Sequence, residues 1–204
     1  MAALSVALGA YERPLDPGSI NQAIAIGIST SDPDRARFHR PYHVDIGRAP
    51  VDWIDVITPF RRVVLGAERH TRDGGRLYGQ RDAMALLATA PEQLDIVVEL
   101  TFHPLNTYVG VPPYTVLLVR GDARVEPASL ERVPRFGPRM TGTPLPYPFG
   151  GGARLPLGTE PLLGGVVAAH FEGSSLALDG TYDVVVSEGQ SELARARVNF
   201  GALR

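Results

Sequence analysis

The sequence predicts an all-β protein, an antiparallel β-sandwich with one short helix and one long Pro/Gly-rich loop. Three observations carry that expectation. In residues 191–202, Ala194, Ala196, Val198 and Phe200 alternate with Arg195, Arg197 and Asn199. A strand repeats its facing every two residues, so this arm has one apolar face and one wet, basic face. Residues 94–102 alternate in the same way, with Leu94, Ile96, Val98, Leu100 and Phe102 against Asp95, Glu99 and Thr101. Third, Gly 22 and Pro 18 in a chain of 204 residues suit a fold with many turns.

Composition narrows the function classes. The chain has no cysteine, which excludes a disulfide framework, a thiolate zinc site and a cysteine nucleophile in these residues. Every basic residue is arginine, as a GC-rich genome produces. The net charge of −2 gives no global attraction to nucleic acid, and acidic neighbours interrupt each arginine cluster. No apolar run reaches the roughly 18–20 residues a bilayer span needs. Residues 1–19 read as an arm or a signal remnant, because residues 1–10 are small and apolar and end in an Ala-x-Ala-like way. That predicts a periplasmic or extracellular protein, with the cytoplasm as the alternative. Residues 20–204 are expected to form one sandwich domain, with a possible division into 20–92 and 93–204.

Taken in order, residues 20–29 place Ile20, Ile24, Ile26 and Ile28 at even positions and predict a first strand. Residues 32–40 are charged and Pro-broken, and read as a loop. A β-rich block follows over 42–67, in which Pro59 should break or edge a strand that 61–68 resumes. Arg72-Asp73-Gly74-Gly75 then offers a hairpin turn into 76–78. Residues 82–90 hold strong helix formers, with Asp82 as a cap and Pro91 as a stop. Residues 114–120 are expected to pair with 94–102. Residues 121–165 read as the long loop, with Gly150-Gly151-Gly152 and seven prolines between 134 and 161, at 134, 138, 144, 146, 148, 156 and 161. A strand over 166–171 precedes the terminal hairpin, whose turn is Glu188-Gly189.

Asp179-Gly180-Thr181-Tyr182, at the head of a late strand, resembles the tyrosine corner of immunoglobulin-like sandwiches. The resemblance implies an immunoglobulin-like C-terminal half, although Val184 stands where the usual cysteine would be. It implies no activity.

Motifs for chemistry are sparse. His39, His43 and Asp45 combine imidazole and carboxylate, which suits a divalent metal ion, and a strand over 42–46 would put His43 and Asp45 on one face. Separate, hydrogen-bonded histidines are the plainer explanation. A rim site built from His103, Asn106 and His170 would need a general base at a strand end. The chain lacks a Gly-x-Ser-x-Gly elbow, and Gly150–Gly152 lack the strand-before, helix-after context of a phosphate loop. The expectation is therefore a non-enzymatic module that needs no cofactor and acts through contact with another protein. The partner should dock on residues 134–161 through Arg135, Phe136, Arg139, Tyr147 and Phe149, side chains of the kind that anchor interfaces. The alternatives are a metal- or ligand-binding sandwich and an enzyme with its site around His103.

Overall fold

The computed structural model describes residues 14–75, 77–103, 105–137, 161–177 and 179–204. It opens with helix where alternation predicts a strand. Helix α1 spans Pro17–Gly27, with Pro17 in its first turn and the Asp16 side chain accepting from the Gly18 and Ser19 amides. Ile20, Ala23, Ile24 and Gly27 are buried, whereas Ile28 is 46% exposed. Isoleucines at 20 and 24 fit both a two-residue and a helical period, and the capped N-terminus decides for the helix. Residues read as a charged loop form α2, Asp32–His39, with Asp32 and Asp34 in its first turn and Arg37 and His39 in its last. That distribution complements the helix dipole.

Strands β1 (His43–Arg48) and β2 (Val51–Ile57) follow as an antiparallel pair. The strand expected to resume after Pro59 is instead α3, Pro59–Arg72. Proline is tolerated in the first turn of a helix, and the Thr58 hydroxyl accepts the Arg61 amide at 3.1 Å. Phe60, Val63, Val64 and Ala67 make its buried stripe. Residues 72–75 end this helix and do not turn a hairpin. Helix α4, Gln80–Thr89, lies where a helix was predicted, but Asp82 sits inside it and accepts the Gly79 amide at 2.9 Å.

The remaining strands are β3 (Gln93–Thr101), β4 (Thr115–Arg120), β5 (Ala123–Val125), β6 (Ser129–Phe136), β7 (Leu162–Glu172), β8 (Thr181–Glu188) and β9 (Ser191–Asn199). They form two antiparallel sheets, of order β1-β2-β3-β7-β6 and β5-β4-β8-β9. The predicted pairing of 114–120 with 94–102 does not occur: β4 belongs to the opposite sheet, and β3 lies between β2 and β7. The stretch read as one long loop contains β5, β6 and the start of β7. Pro134 is accommodated because β6 is an edge strand. Residues 138–160, with Arg139, Tyr147 and Phe149, lie outside the described residues.

The inner faces enclose one core. Ile54, Val56, Ile96, Val98, Leu100, Val167 and Phe171 of the first sheet meet Val116, Leu118, Val184, Val186, Ala196 and Val198 of the second. Each such Val, Leu, Ile or Phe side chain contributes roughly 1.5–3 kcal/mol on burial. The β8–β9 hairpin follows its predicted facing, with Val184 opposite Ala196 and Gly189 at φ +57° in the turn. The Tyr182 hydroxyl accepts the Ala177 amide at 2.9 Å. A second cluster, with Ile20, Ala23, Ile24, Phe60, Val63, Val64 and Ala83, holds the helices together, and Phe38 touches both clusters.

Candidate functional site on the outer face of the five-stranded sheet

Strand register decides which side chains share the solvent side of the first sheet. One row across it reads Ile57, Asp95, His170, Ser129. The next reads His43, Asp55, Val97, Ala168, Glu131, and the third Asp45, Trp53, Glu99, Val166, Val133. A last row joins Thr101, Gly164 and Arg135. Period-two facing therefore gathers residues from five strands onto one surface.

Its first two rows carry a repeated device. Arg61 reaches from the first turn of α3 to Asp55 Oδ2 at 2.8 Å, and Asp55 Oδ1 lies 2.7 Å from His43 Nδ1. Arg62, the next residue, reaches Asp95 Oδ2 at 2.8 Å, and Asp95 Oδ1 lies 2.8 Å from His170 Nδ1. Each carboxylate is thus held by an arginine on one oxygen and orients an imidazole with the other. Arg61 is buried; it also donates to the Val56 carbonyl and to His39 Nδ1, and stacks over the Tyr42 ring at 5.0 Å. Arg62 also donates to the Ala90 and Gln93 carbonyls.

The two histidines differ. His43 also engages Asp45 through Nε2 at 3.1 Å, so both ring nitrogens are occupied. Burial alone would lower its pKa, but the bonds to Asp55 and Asp45 and their charge outweigh that and raise it above its usual value. His170 Nε2 has no partner among the described residues. This imidazole lines a polar cleft of about 360 Å³ together with Gln93, Ser129, Glu172 and Ser174.

The middle of the face is apolar. Trp53, Val97, Val166 and Ala168 are half-buried, and Val133 on the β6 edge is 49% exposed. Arg135 closes the far end through an ion pair with Glu99 and a bond to the Leu100 carbonyl. The solvent side of the other sheet is dressed differently: Arg195 and Arg197 both pair with Asp183.

Of the residues singled out in the sequence, His43, Asp45, Arg135 and His170 meet on this face. His39 does not; it ends α2 and bonds Glu68 at 2.8 Å. Among the described residues, no group of three or more histidine and carboxylate side chains comes together in a way that could hold a metal ion. His103 and Asn106 form a local turn, in which the Asn106 amide donates to the His103 and Leu162 carbonyls. They sit beyond Thr101, roughly 20 Å along β3 from the row that holds His170. Phe136, 45% exposed, ends β6 opposite Leu162. The residues that sequence reasoning missed are Asp55, Asp95, Arg61 and Arg62. Their signal was a carboxylate in an otherwise apolar strand, but its partners lie on other elements.

Comparison of the chain with family models, with curated proteins and with solved structures returns no match. Among the described residues no helix is long and apolar enough to cross a membrane.

Proposed function

We propose that the chain is a protein-binding module whose partner protein docks on the outer face of the five-stranded sheet. One observation carries this reading: an apolar centre of Trp53, Val97, Val133, Val166 and Ala168 stands uncovered to varying degrees on a rigid sheet, framed by ion pairs that are already satisfied within the chain. Interfaces have that anatomy, an apolar middle within a polar rim, and Trp and Arg are their usual anchors. Docking here would remove apolar surface from water without stranding a buried charge. Arg135 and Phe136 of β6 belong to the contact in this reading, whereas Arg139, Tyr147 and Phe149 lie outside the described residues. The apolar run in residues 1–10 supports action in the periplasm or outside the cell.

We infer further that β2–β9 form an immunoglobulin-like sandwich, with α3 and α4 inserted between its first two strands. What supports this is the order β2-β3-β7-β6 against β5-β4-β8-β9, which corresponds to A-B-E-D against C′-C-F-G. The Tyr182 hydroxyl bonded back to Ala177, at the head of the strand that corresponds to F, is a second support.

A photoreactive amino acid at position 133, expressed in the source organism, tests the docking surface. The reading expects one discrete protein adduct that Trp53→Ala weakens and that the same reagent at position 195 does not form. Equal adducts from both positions would refute it.

A further inference from the structure

His43 and His170 are held alike at Nδ1, yet only His43 is also tied down at Nε2. His170 Nδ1 lies 2.8 Å from Asp95 Oδ1 and 2.7 Å from the side-chain nitrogen of Gln93, which itself donates to Asp95 Oδ1 at 2.6 Å. In the tautomer that gives its Nδ1 proton to Asp95, the Nε2 lone pair is a proton acceptor on the cleft wall. Asp95 is held in turn by Arg62, and both are largely shielded from water. Ser129 stands directly opposite His170 on β6, on the same side of the sheet. Cross-strand neighbours have Cβ atoms about 4.5–5.5 Å apart, within reach of a hydroxyl-to-imidazole hydrogen bond after side-chain rotation. Asp95, His170 and Ser129 therefore lie in a row on three adjacent strands, in the order carboxylate, imidazole, hydroxyl.

We propose that this row is an acyl-transfer site for small neutral esters, an activity beyond the binding role. Ser129 Oγ attacks the ester carbonyl carbon and forms the new C–O bond, while its proton passes to His170 Nε2. The acyl–alkoxy bond then breaks, and the departing alkoxide takes that proton as an alcohol. Water attacks the acyl-serine, gives a proton to Nε2, and the acid leaves as Ser129 Oγ is reprotonated. The sum is ester plus water to acid plus alcohol. Ser129 and His170 are the catalytic residues; Asp95, Gln93 and Arg62 are positioning residues that hold the imidazole and stabilise its cation. The cleft also carries Ser174, a hydroxyl able to donate to the carbonyl oxygen, and Glu92 and Glu172, which disfavour an anionic substrate.

The test uses the purified full chain with p-nitrophenyl acetate and, separately, a fluorophosphonate reagent whose site of attachment is mapped by mass spectrometry. The proposal expects phosphonylation on Ser129, hydrolysis that rises from acid to neutral pH, and a loss of about 100-fold in Ser129→Ala and in His170→Gln. Asp95→Asn should lower kcat more than it raises KM and should shift the pH profile, which a merely structural role would not do. Ser129→Ala changes an exposed edge position and keeps the question answerable even where the His170 or Asp95 variants lose their fold. No label on Ser129 in the native chain, or hydrolysis undiminished in Ser129→Ala, overturns the proposal.

Discussion

Arg61 and Arg62 are consecutive residues that serve two different strands: Arg61 grips Asp55 on β2 and Arg62 grips Asp95 on β3, each at 2.8 Å. Both leave the first turn of α3, so that turn is tied to the centre of the five-stranded sheet. The helices and the sandwich have largely separate apolar clusters. These two ion pairs are therefore a principal polar join between them.

The Arg61 side chain is 5% exposed, and truncating it strands the Asp55 carboxylate and the Val56 carbonyl. Removing one partner of a buried pair costs about 3–5 kcal/mol. Arg61→Ala should lose that amount in urea denaturation. The exposed pair Arg37–Asp34 should contribute less than about 1 kcal/mol. Comparable losses from Arg61→Ala and Arg37→Ala would contradict the role given to Arg61.

His43 carries a pH dependence of known sign. Its folded-state pKa is raised above 6.5 by Asp55 and Asp45 against the opposing effect of burial. Stability from its charged form is then fully present below about pH 6.5 and is lost as pH rises through the raised folded value. Thermal melts of the native chain and His43→Asn should differ most at acid pH and converge above that value. An imidazole titration by NMR that gives His43 a pKa at or below 6.5 would sink the argument.

Gly164 is required by close approach between strands. A Cβ there would collide with the Leu100 carbonyl and with the Arg135 guanidinium. Gly164→Ala should destabilise by about 1–3 kcal/mol in chemical denaturation, with the shift forced on β3 and β7. An unchanged midpoint would show that the two strands are further apart than described.

The Tyr78 hydroxyl is buried without a hydrogen-bond partner among the described residues, and burial, with Asp82 nearby, raises its pKa. An unsatisfied buried polar group is a liability of about 1–3 kcal/mol, so Tyr78→Phe should raise the melting temperature. A lower one would mean that the hydroxyl has a partner.

Local pattern carried the parts of the fold where one face is buried and the other wet. Strand β3 and the β8–β9 hairpin were legible for that reason, and Asp95 and Glu99 could be placed on a solvent side. Helix α4 was legible because helix formers dominate it. Helices α1 and α3 were not, because Ile20 and Ile24 satisfy two periods at once and Pro59 can end a strand or start a helix. Edge strand β6 was hidden by its exposure, which removes alternation, and by Pro134. The site was harder still. That His43 and Asp45 share a face follows from a single strand, but Arg61–Asp55–His43 spans three elements, and register between distant strands leaves no trace in a local window.

If the outer sheet face is the partner's landing surface, a single titration decides it. With the protein identified by crosslinking at position 133, calorimetric binding of the native chain should be compared with that of Val133→Glu and Arg195→Ala. A charge driven into the apolar centre should weaken Kd about tenfold or more, while Arg195→Ala on the other sheet should leave it unchanged. An unaltered Kd for Val133→Glu, with the fold intact by circular dichroism, would contradict the account.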